Sequence, residues 1–313
     1  AMNKQIKLAN PRGFCAGVDR AIDIVNKALD IYGAPVYVKH EVVHNKVVVA
    51  DLRSRGAIFV EEIEEIPDDS LVIFSAHGVS SAVEEQTKSR NLNFFDATCP
   101  LVTKVHMEVR KHAKANKDII LVGHEGHPEV EGTMGRHINS ENSSIYLVQN
   151  EGDAECIKIR NTTSLALVTQ TTLSVDETKS IINILKDRFP NIEIPKKDDI
   201  CYATQNRQDA VKQLALESDF MIVVGSKNSS NSNRLRELGE KCGCRSILID
   251  EFTDIDLNEL NNYSKISITA GASAPETKVM EIAKSLEMHT NARIIEYGED
   301  REDIYFKLPP GLR

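Results

Sequence analysis

The sequence of 313 residues predicts an α/β protein made of three related units with mainly parallel sheets. Short apolar runs alternate with helical patterns, which is typical of strand–helix–strand units. A cysteine stands at the predicted start of a helix three times, and the spacing from two of these cysteines to later turns repeats. These observations predict three pseudo-threefold-related α/β units, comprising residues 1–97, 98–197 and 198–313.

The three helix-start cysteines are Cys15, Cys99 and Cys201. A residue that precedes a proline is disfavoured in the helical conformation, so we expect Cys99 at an N-cap and Pro100 at the first helical position. A helix N-terminus carries partial positive charge, which favours the thiolate that binds metal. Three such helix ends that converge would form a three-thiolate metal site at the centre of the units.

Composition restricts the class of protein. The net charge of −9 and the lack of a Lys/Arg block argue against a nucleic-acid partner. No apolar run approaches the ~18 residues of a membrane span, and the first residues lack the apolar core of a signal peptide. We therefore expect a cytoplasmic protein without a membrane partner. Six cysteines in a reducing compartment are more often metal ligands or reactive groups than disulfides.

Apolar runs predict three strands in each unit. They are 35–38, 57–60 and 71–74 in the first unit, 119–122, 145–148 and 165–168 in the second, and 220–224, 246–249 and 266–269 in the third. The interval from Cys99 to Gly123 equals the interval from Cys201 to Gly225. The longer intervals from Cys99 to Thr169 and from Cys201 to Ala270 are almost equal as well, which extends the repeat.

Polar turns follow the predicted strands, at the carboxyl ends where parallel sheets bind ligands. Hydroxyl, amide and imidazole donors dominate these turns, which indicates a site for a small, highly charged anion such as a diphosphate. The residues are His44, His77, His127, Glu129, Thr171, Ser229, Ser230, Asn231 and Ser273. The other histidines considered are expected to be capping or surface residues: His106, His112, His137 and His289.

Nine motifs in this sequence resemble, in the same order, those of the 4-hydroxy-3-methylbut-2-enyl diphosphate reductases. They are Asn10–Val18, Glu41–Asn45, Ser75–Val79, Ala97–Val102, Gly126–Gly132, Thr169–Thr172, Asp199–Thr204, Ser229–Ser232 and Ala270–Ser273. The resemblance implies a three-lobed α/β enzyme, the last of the non-mevalonate isoprenoid pathway. Its reaction is the reductive dehydroxylation of (E)-4-hydroxy-3-methylbut-2-enyl diphosphate to isopentenyl and dimethylallyl diphosphate.

The resemblance also implies a cofactor and residue roles. It implies one 4Fe–4S cluster per chain, with Cys15, Cys99 and Cys201 as its three ligands and one open iron that binds the substrate hydroxyl. Glu129 matches the proton source, and Thr171 matches the residue that binds the hydroxyl and relays the proton. The diphosphate would be bound by His44, His77, His127, Ser229, Ser230, Asn231 and Ser273.

The electron donor implied by the resemblance is flavodoxin or ferredoxin, because the Gly-x-Gly patterns form no dinucleotide fingerprint. Two other classes stay open. One is a mononuclear zinc hydrolase that uses the three cysteines or the His127 loop, although His124-x-x-His127 lacks the helical HExxH arrangement. The other is a non-catalytic iron–sulfur sensor. Three cysteines have no helix-start position and are predicted not to be ligands: Cys156, Cys242 and Cys244.

Overall fold

The computed structural model describes residues 5–300 and 302–313 and shows an α/β protein. Within these residues the strands are β1 (Gln5–Ala9), β2 (Val36–Lys39), β3 (Ala57–Val60), β4 (Leu71–Phe74), β5 (Asn93–Asp96), β6 (Asp118–Val122), β7 (Ile145–Val148), β8 (Leu165–Thr169), β9 (Phe220–Val224), β10 (Arg245–Ile249), β11 (Ile266–Ala270) and β12 (Arg293–Tyr297). The helices are α1 (Ala16–Tyr32), α2 (Lys46–Ser54), α3 (Ser81–Ser89), α4 (Pro100–Lys114), α5 (Pro128–Met134), α6 (Glu151–Cys156), α7 (Val175–Arg188), α8 (Tyr202–Ala215), α9 (Ser230–Lys241), α10 (Leu257–Leu260) and α11 (Glu276–Thr290).

The same three-strand arrangement occurs in each of the three sheets that the described residues form. Its first strand is central, its second lies on one side and its third on the other, giving the orders β3-β2-β4, β7-β6-β8 and β10-β9-β11. The pairings between these strands are parallel. The predicted α/β class with parallel sheets is therefore confirmed, and the sequence repeat corresponds to a repeated strand order.

A further segment pairs with the third strand of each arrangement and leads to a helix-start cysteine. Strand β5 pairs with β4 and precedes Cys99, and β1 pairs with β11 and precedes Cys15. In the remaining sheet a single bridge joins Ala166 of β8 to Glu193, upstream of Cys201. Each of these segments runs parallel to its neighbour, so the chain approaches each cysteine at the carboxyl end of a sheet.

Burial of the central strands follows from their continuous apolar runs, which parallel sheets require because helices cover both faces. Every residue of β6, β8, β9 and β11 is buried. One core packs Ile222 and Ile268 against α11, and another packs Leu167 against Leu185 of α7. The strand ends, and with them the polar turns, are therefore held on rigid supports.

The described residues form two compact units that are interleaved in sequence. One comprises the chain up to Asp19, Val43–Asp51 and Tyr202–Tyr305, and it contains the sheet β10-β9-β11-β1-β12. The other comprises Arg20–Val42, Leu52–Cys201 and Phe306–Arg313, and it contains the sheets β3-β2-β4-β5 and β7-β6-β8. The boundaries predicted after residues 97 and 197 stay a prediction. Across the part of the chain described here, no helix has the length and apolar character that crossing a membrane requires.

The nine predicted strands are all present, and each of their ends lies within one residue of the predicted position. Strands β1, β5 and β12 were not predicted. Strands β1 and β12 pair with strands that are distant in the sequence, so the local pattern does not contain the information that makes them strands.

Candidate active site

Each of the three predicted cysteines is the residue immediately before a helix. Cys15 precedes α1, Cys99 precedes α4 and Cys201 precedes α8. Cys99 is the N-cap of α4 with Pro100 in the first turn, as predicted. All three are half-buried, and none of them forms a disulfide bond.

The main chain of each cysteine is held in the same way. The Cys15 N–H donates to the carbonyl of Ala272 at 3.2 Å, the Cys99 N–H to Ala76 at 3.0 Å, and the Cys201 N–H to Thr171 at 3.1 Å. Each acceptor is the second residue after the third strand of its sheet, β11, β4 or β8. The three cysteines therefore occupy equivalent positions in the repeat.

The chemistry of these residues fits a thiolate-bound metal group. Burial raises the pKa of the Cys15 thiol, and Arg207 and the N–H groups of Val18 and Gly17 oppose that increase. Soft ligands of this kind select thiophilic metals and iron–sulfur clusters, which deprotonate the thiol on binding. The other cysteines lack equivalent positions: Cys156 and Cys242 are exposed, and Cys244 is buried in an apolar core.

Glu129 and Thr171 form a buried pair. The Thr171 N–H donates to Glu129 Oε1 at 2.7 Å, and the Thr171 hydroxyl donates to Oε2 at 2.9 Å. Glu129 is in the first turn of α5, and only 3% of its surface is exposed. Because the Thr171 carbonyl accepts the Cys201 N–H, the same residue contacts both the carboxyl group and a predicted metal ligand.

Burial raises the pKa of Glu129 to about 7. The two hydrogen bonds from Thr171 lower it, and the nearby Asp199 raises it. A carboxyl group with a pKa near neutrality can both hold and release a proton, as general acid catalysis requires. The environment of Glu129 therefore suits a proton donor.

His127 and His77 lie beside this pair in the same unit. The His127 Nδ1 accepts the Glu129 N–H at 3.2 Å, so the neutral ring carries its proton on Nε2, where it can donate to a ligand. The rings of His77 and His127 meet edge to face with centroids 5.7 Å apart. The Ser75 hydroxyl is 3.2 Å from His77 Nδ1. Both histidines thus belong to one polar cluster.

In the other unit the predicted anion-binding residues surround the start of α9. Ser229 is the N-cap, and its hydroxyl accepts the Ser232 N–H. The Ser273 hydroxyl donates to the His44 carbonyl at 2.9 Å and is 3.3 Å from the Ser229 hydroxyl. Asn231 is 5% exposed, and its Oδ1 accepts the Ala272 N–H at 2.9 Å. Ser230 is the first residue of α9.

Two of the histidines assigned to caps or the surface are instead buried. His112 is 4% exposed and His106 is 5% exposed. Burial, followed by the positive charges of Arg136 and Arg110, lowers the pKa of His106 to about 3. A side chain on Gly78, whose φ is +82°, would collide with the His106 ring. His106 therefore supports the turn that contains His77.

Sequence reasoning did not single out Arg207 or Asp199. Arg207 has a fully buried side chain and contacts the main chain before Cys15, while the buried Asp199 accepts the Thr169 N–H at 3.0 Å. Both lie near Cys201 in the sequence, and a charged residue on the otherwise buried face of α8 was the available signal for Arg207.

A parallel α/β scaffold that carries helix-start cysteines and a buried, protonatable carboxyl group after its strands is typical of an enzyme. The family model described as LytB protein matches residues 6–287, so the chain belongs to the LytB family.

The relatives have one activity in their names. A protein from Saccharophagus degradans called 4-hydroxy-3-methylbut-2-enyl diphosphate reductase is 60% identical over 309 residues, which cover 99% of each chain. The structure of the E-1-hydroxy-2-methyl-but-2-enyl-4-diphosphate reductase from Plasmodium falciparum is 39% identical, with a TM-score of 0.94 over 99% of this chain and 97% of that one. A structure of (E)-4-hydroxy-3-methyl-but-2-enyl diphosphate reductase, described as the terminal enzyme of the non-mevalonate pathway, is 28% identical, with a TM-score of 0.65 over 91% and 99%.

Proposed function

We propose that this chain reduces (E)-4-hydroxy-3-methylbut-2-enyl diphosphate to isopentenyl diphosphate and dimethylallyl diphosphate, the last step of the non-mevalonate isoprenoid pathway. Membership of the LytB family and full-length relatives with that name support the reaction. The observation that carries the proposal is the Glu129–Thr171 pair. The protonatable carboxyl group of Glu129 is hydrogen-bonded to the Thr171 hydroxyl, and the Thr171 main-chain carbonyl accepts the Cys201 N–H.

Cys15, Cys99 and Cys201 are the proposed ligands of a single 4Fe–4S cluster with one open iron. Their equivalent helix-start positions and equivalent N–H hydrogen bonds support this assignment. When bound, the cluster supplies the two electrons of the reduction one at a time. The reaction also consumes two protons, one for the hydroxyl group that leaves as water and one for the carbon chain. The chain's own residues bind the substrate and deliver protons.

Proton delivery is assigned to Glu129 through Thr171. Protonated Glu129 donates from Oε2 to the Thr171 Oγ1, which is 2.9 Å away, and the Thr171 hydroxyl passes its own proton to the substrate side. Burial favours this because it keeps the carboxyl group protonated at neutral pH far more often than an exposed glutamate would be.

The diphosphate is assigned to the polar strand-end residues: His44, His77, His127, Ser229, Ser230, Asn231 and Ser273. A helix N-terminus favours anions because its free N–H groups and dipole point at the ligand, and Ser229 and Ser230 lie at the N-terminus of α9. The Nε2–H group of His127 is a further hydrogen-bond donor for the diphosphate.

Three further assignments complete the proposal. Flavodoxin or ferredoxin is the electron donor, the enzyme is cytoplasmic, and the chain folds as three α/β domains with boundaries after residues 97 and 197. The donor assignment is supported by the lack of a dinucleotide fingerprint in the sequence.

Anaerobic turnover tests the function directly. The protein is purified without oxygen, its iron and sulfide are counted, and it is supplied with the hydroxylated diphosphate and a chemically reduced dye. Formation of both isoprenoid diphosphates in a cluster-dependent reaction is the expected result. Iron and sulfide without turnover would identify a sensor instead, and zinc in place of iron would identify a hydrolase-type site.

A further inference from the structure

Each helix that follows a cysteine carries a cation five or six residues after it. These residues are Arg20 after Cys15, Lys104 after Cys99 and Arg207 after Cys201. Each one reaches the chain segment that precedes a different cysteine.

Arg20 holds the segment before Cys99. Its Nη1 donates to the carbonyl of Thr98 at 3.2 Å, and its Nε donates to the carbonyl of Lys307 at 2.8 Å. Thr98 is the residue immediately before Cys99, so this contact acts on the peptide group that sets the orientation of that cysteine.

Lys104 holds the segment before Cys201. Its Nζ donates to the carbonyl of Lys197 at 3.0 Å and to Asp199 Oδ1 at 3.2 Å. The other oxygen of Asp199 accepts the N–H of Thr169 at the end of β8. Lys104 therefore ties the approach to Cys201 both to α4 and, through Asp199, to the sheet.

Arg207 holds the segment before Cys15. Its Nη2 and Nε donate to the Gly13 carbonyl at 2.7 and 3.0 Å, and Nη2 also reaches the Phe14 carbonyl at 3.3 Å. Nη1 forms an ion pair with Glu302 at 2.9 Å, which compensates the charge of the fully buried guanidinium group.

The three contacts follow one cyclic rule. The helix after Cys15 supports the segment before Cys99, the helix after Cys99 supports the segment before Cys201, and the helix after Cys201 supports the segment before Cys15. We infer that Arg20, Lys104 and Arg207 are positioning residues that hold the three cysteine thiols in the geometry of one metal group. This inference rests on the proposed function, because it takes the three cysteines as ligands of a shared cluster.

The physical reason is that a ligand set gains affinity when its members are held in place before the metal binds. Groups that orient the ligands without touching the metal typically contribute about 10- to 100-fold in metal affinity. In a cyclic arrangement the three cysteines depend on one another. Loss of one cation loosens the segment before one cysteine, and the helix after that cysteine carries the cation that supports the segment before another cysteine.

The test compares cluster release among single variants. Arg20→Gln, Lys104→Gln and Arg207→Gln remove each cation, and Arg207→Lys retains the charge without the forked geometry. Lys27→Gln on α1 and Lys114→Gln on α4 are matched controls, because both lysines are exposed on the same helices. The reconstituted holoproteins are incubated anaerobically with an iron chelator, and iron release is followed by visible absorbance, while the thermal midpoint of each protein reports the fold.

We expect iron release to be accelerated about tenfold or more in the three Gln variants, with Arg207→Lys intermediate and both controls unchanged. Arg20→Gln and Lys104→Gln keep the test decisive if the buried Arg207→Gln fails to fold. Release at the control rate in both would overturn the inference, as would equally fast release from the two control variants. If Cys99→Ser retained its iron, the proposed function would fail first, which separates the two failures.

Discussion

Glu129 and Thr171 are joined by two hydrogen bonds, one from the Thr171 main chain and one from its hydroxyl, to the two oxygens of a single buried carboxyl group. The main-chain bond fixes the carboxyl group whether or not the hydroxyl is present. The hydroxyl bond is the one that can exchange a proton. The Thr171 main-chain N–H thus holds the carboxyl group, and the Thr171 hydroxyl transfers the proton. Single substitutions can separate these two roles.

Glu129→Gln is expected to bind substrate and to turn it over slowly. The amide keeps the size of the side chain but has no transferable proton, so turnover should fall by about 10²- to 10⁴-fold, the usual contribution of general acid catalysis. Steady-state kinetics and calorimetry on the same anaerobic samples measure both properties. Glu131→Gln, an exposed position on the same helix, is the control. Wild-type turnover in Glu129→Gln would show that Glu129 is not the proton donor. Loss of substrate binding would show that Glu129 has a structural role in the site.

Thr171→Val should move the pH dependence of the reaction upward. The Thr171 hydroxyl lowers the pKa of Glu129 from the value that burial alone would give, so its removal raises that pKa. The reaction needs protonated Glu129, and wild-type activity is therefore expected to decline as pH increases through about 7. The declining limb of the kcat/KM profile in Thr171→Val should lie at higher pH, with a lower maximum because the relay is lost. An unshifted limb would show that another group titrates.

The cysteine assignment predicts a sharp division among six variants. Replacement of a helix-start cysteine by serine should abolish cluster retention, because serine does not provide the soft thiolate ligand. Iron and sulfide per chain, measured after anaerobic reconstitution, give the result directly. The variants expected to lose the cluster are Cys15→Ser, Cys99→Ser and Cys201→Ser, and those expected to keep it are Cys156→Ser, Cys242→Ser and Cys244→Ser. A Cys242→Ser protein that lost iron while Cys99→Ser kept it would contradict the site.

Diphosphate affinity should depend on His44 and Asn231. His44→Ala and Asn231→Ala are each expected to weaken binding by ~1–3 kcal/mol, the usual cost of leaving a buried partner unpaired. Part of the Asn231 effect comes from the Ala272 N–H, which loses its acceptor. Calorimetry with inorganic diphosphate on holoproteins of equal iron content measures the change. Asn262→Ala, at an exposed position, is the control. Unchanged affinity in both variants would move the anion site elsewhere.

His106 predicts a pH dependence of stability. Its folded pKa of about 3 lies below its ordinary value of 6.5, so the unfolded chain takes up a proton first as pH falls. Above pH 6.5 the His106 ring is neutral in both the folded and the unfolded chain, so it adds no pH dependence to stability. As pH decreases from 6.5 toward 3, only the unfolded chain binds the proton, and stability declines. Between pH 6.5 and 5 the loss is about 2 kcal/mol.

Urea unfolding of wild type and His106→Gln, measured at several pH values under anaerobic conditions, isolates this contribution. Glutamine does not titrate, so the variant should lack this part of the acid sensitivity. The exposed His289→Gln should follow wild type. Equal pH dependence in wild type and His106→Gln would show that His106 does not control stability in this range.

The strands and the helix starts could be predicted from the local sequence for physical reasons. A buried parallel strand must be continuously apolar, as Phe220–Val224 is, and a proline after Cys99 restricts that cysteine to a position outside the helix. Polar residues that follow such strands must lie at the carboxyl end of a sheet. The candidate residues could therefore be chosen from pattern and spacing, before any contact between them was known.

Contacts between distant segments were decided by the tertiary structure. The pairing of β1 with β11 and β12 joins segments from near the two opposite ends of the sequence. The pKa of Glu129 depends on its burial and on its two hydrogen bonds with Thr171, a residue that is distant in the sequence. The acceptors of Arg20, Lys104 and Arg207 include main-chain carbonyls, which every residue possesses. Side-chain identity determines the local preference for strand, helix or turn. Main-chain hydrogen bonds between distant segments and the desolvation of buried groups arise only when the chain is folded.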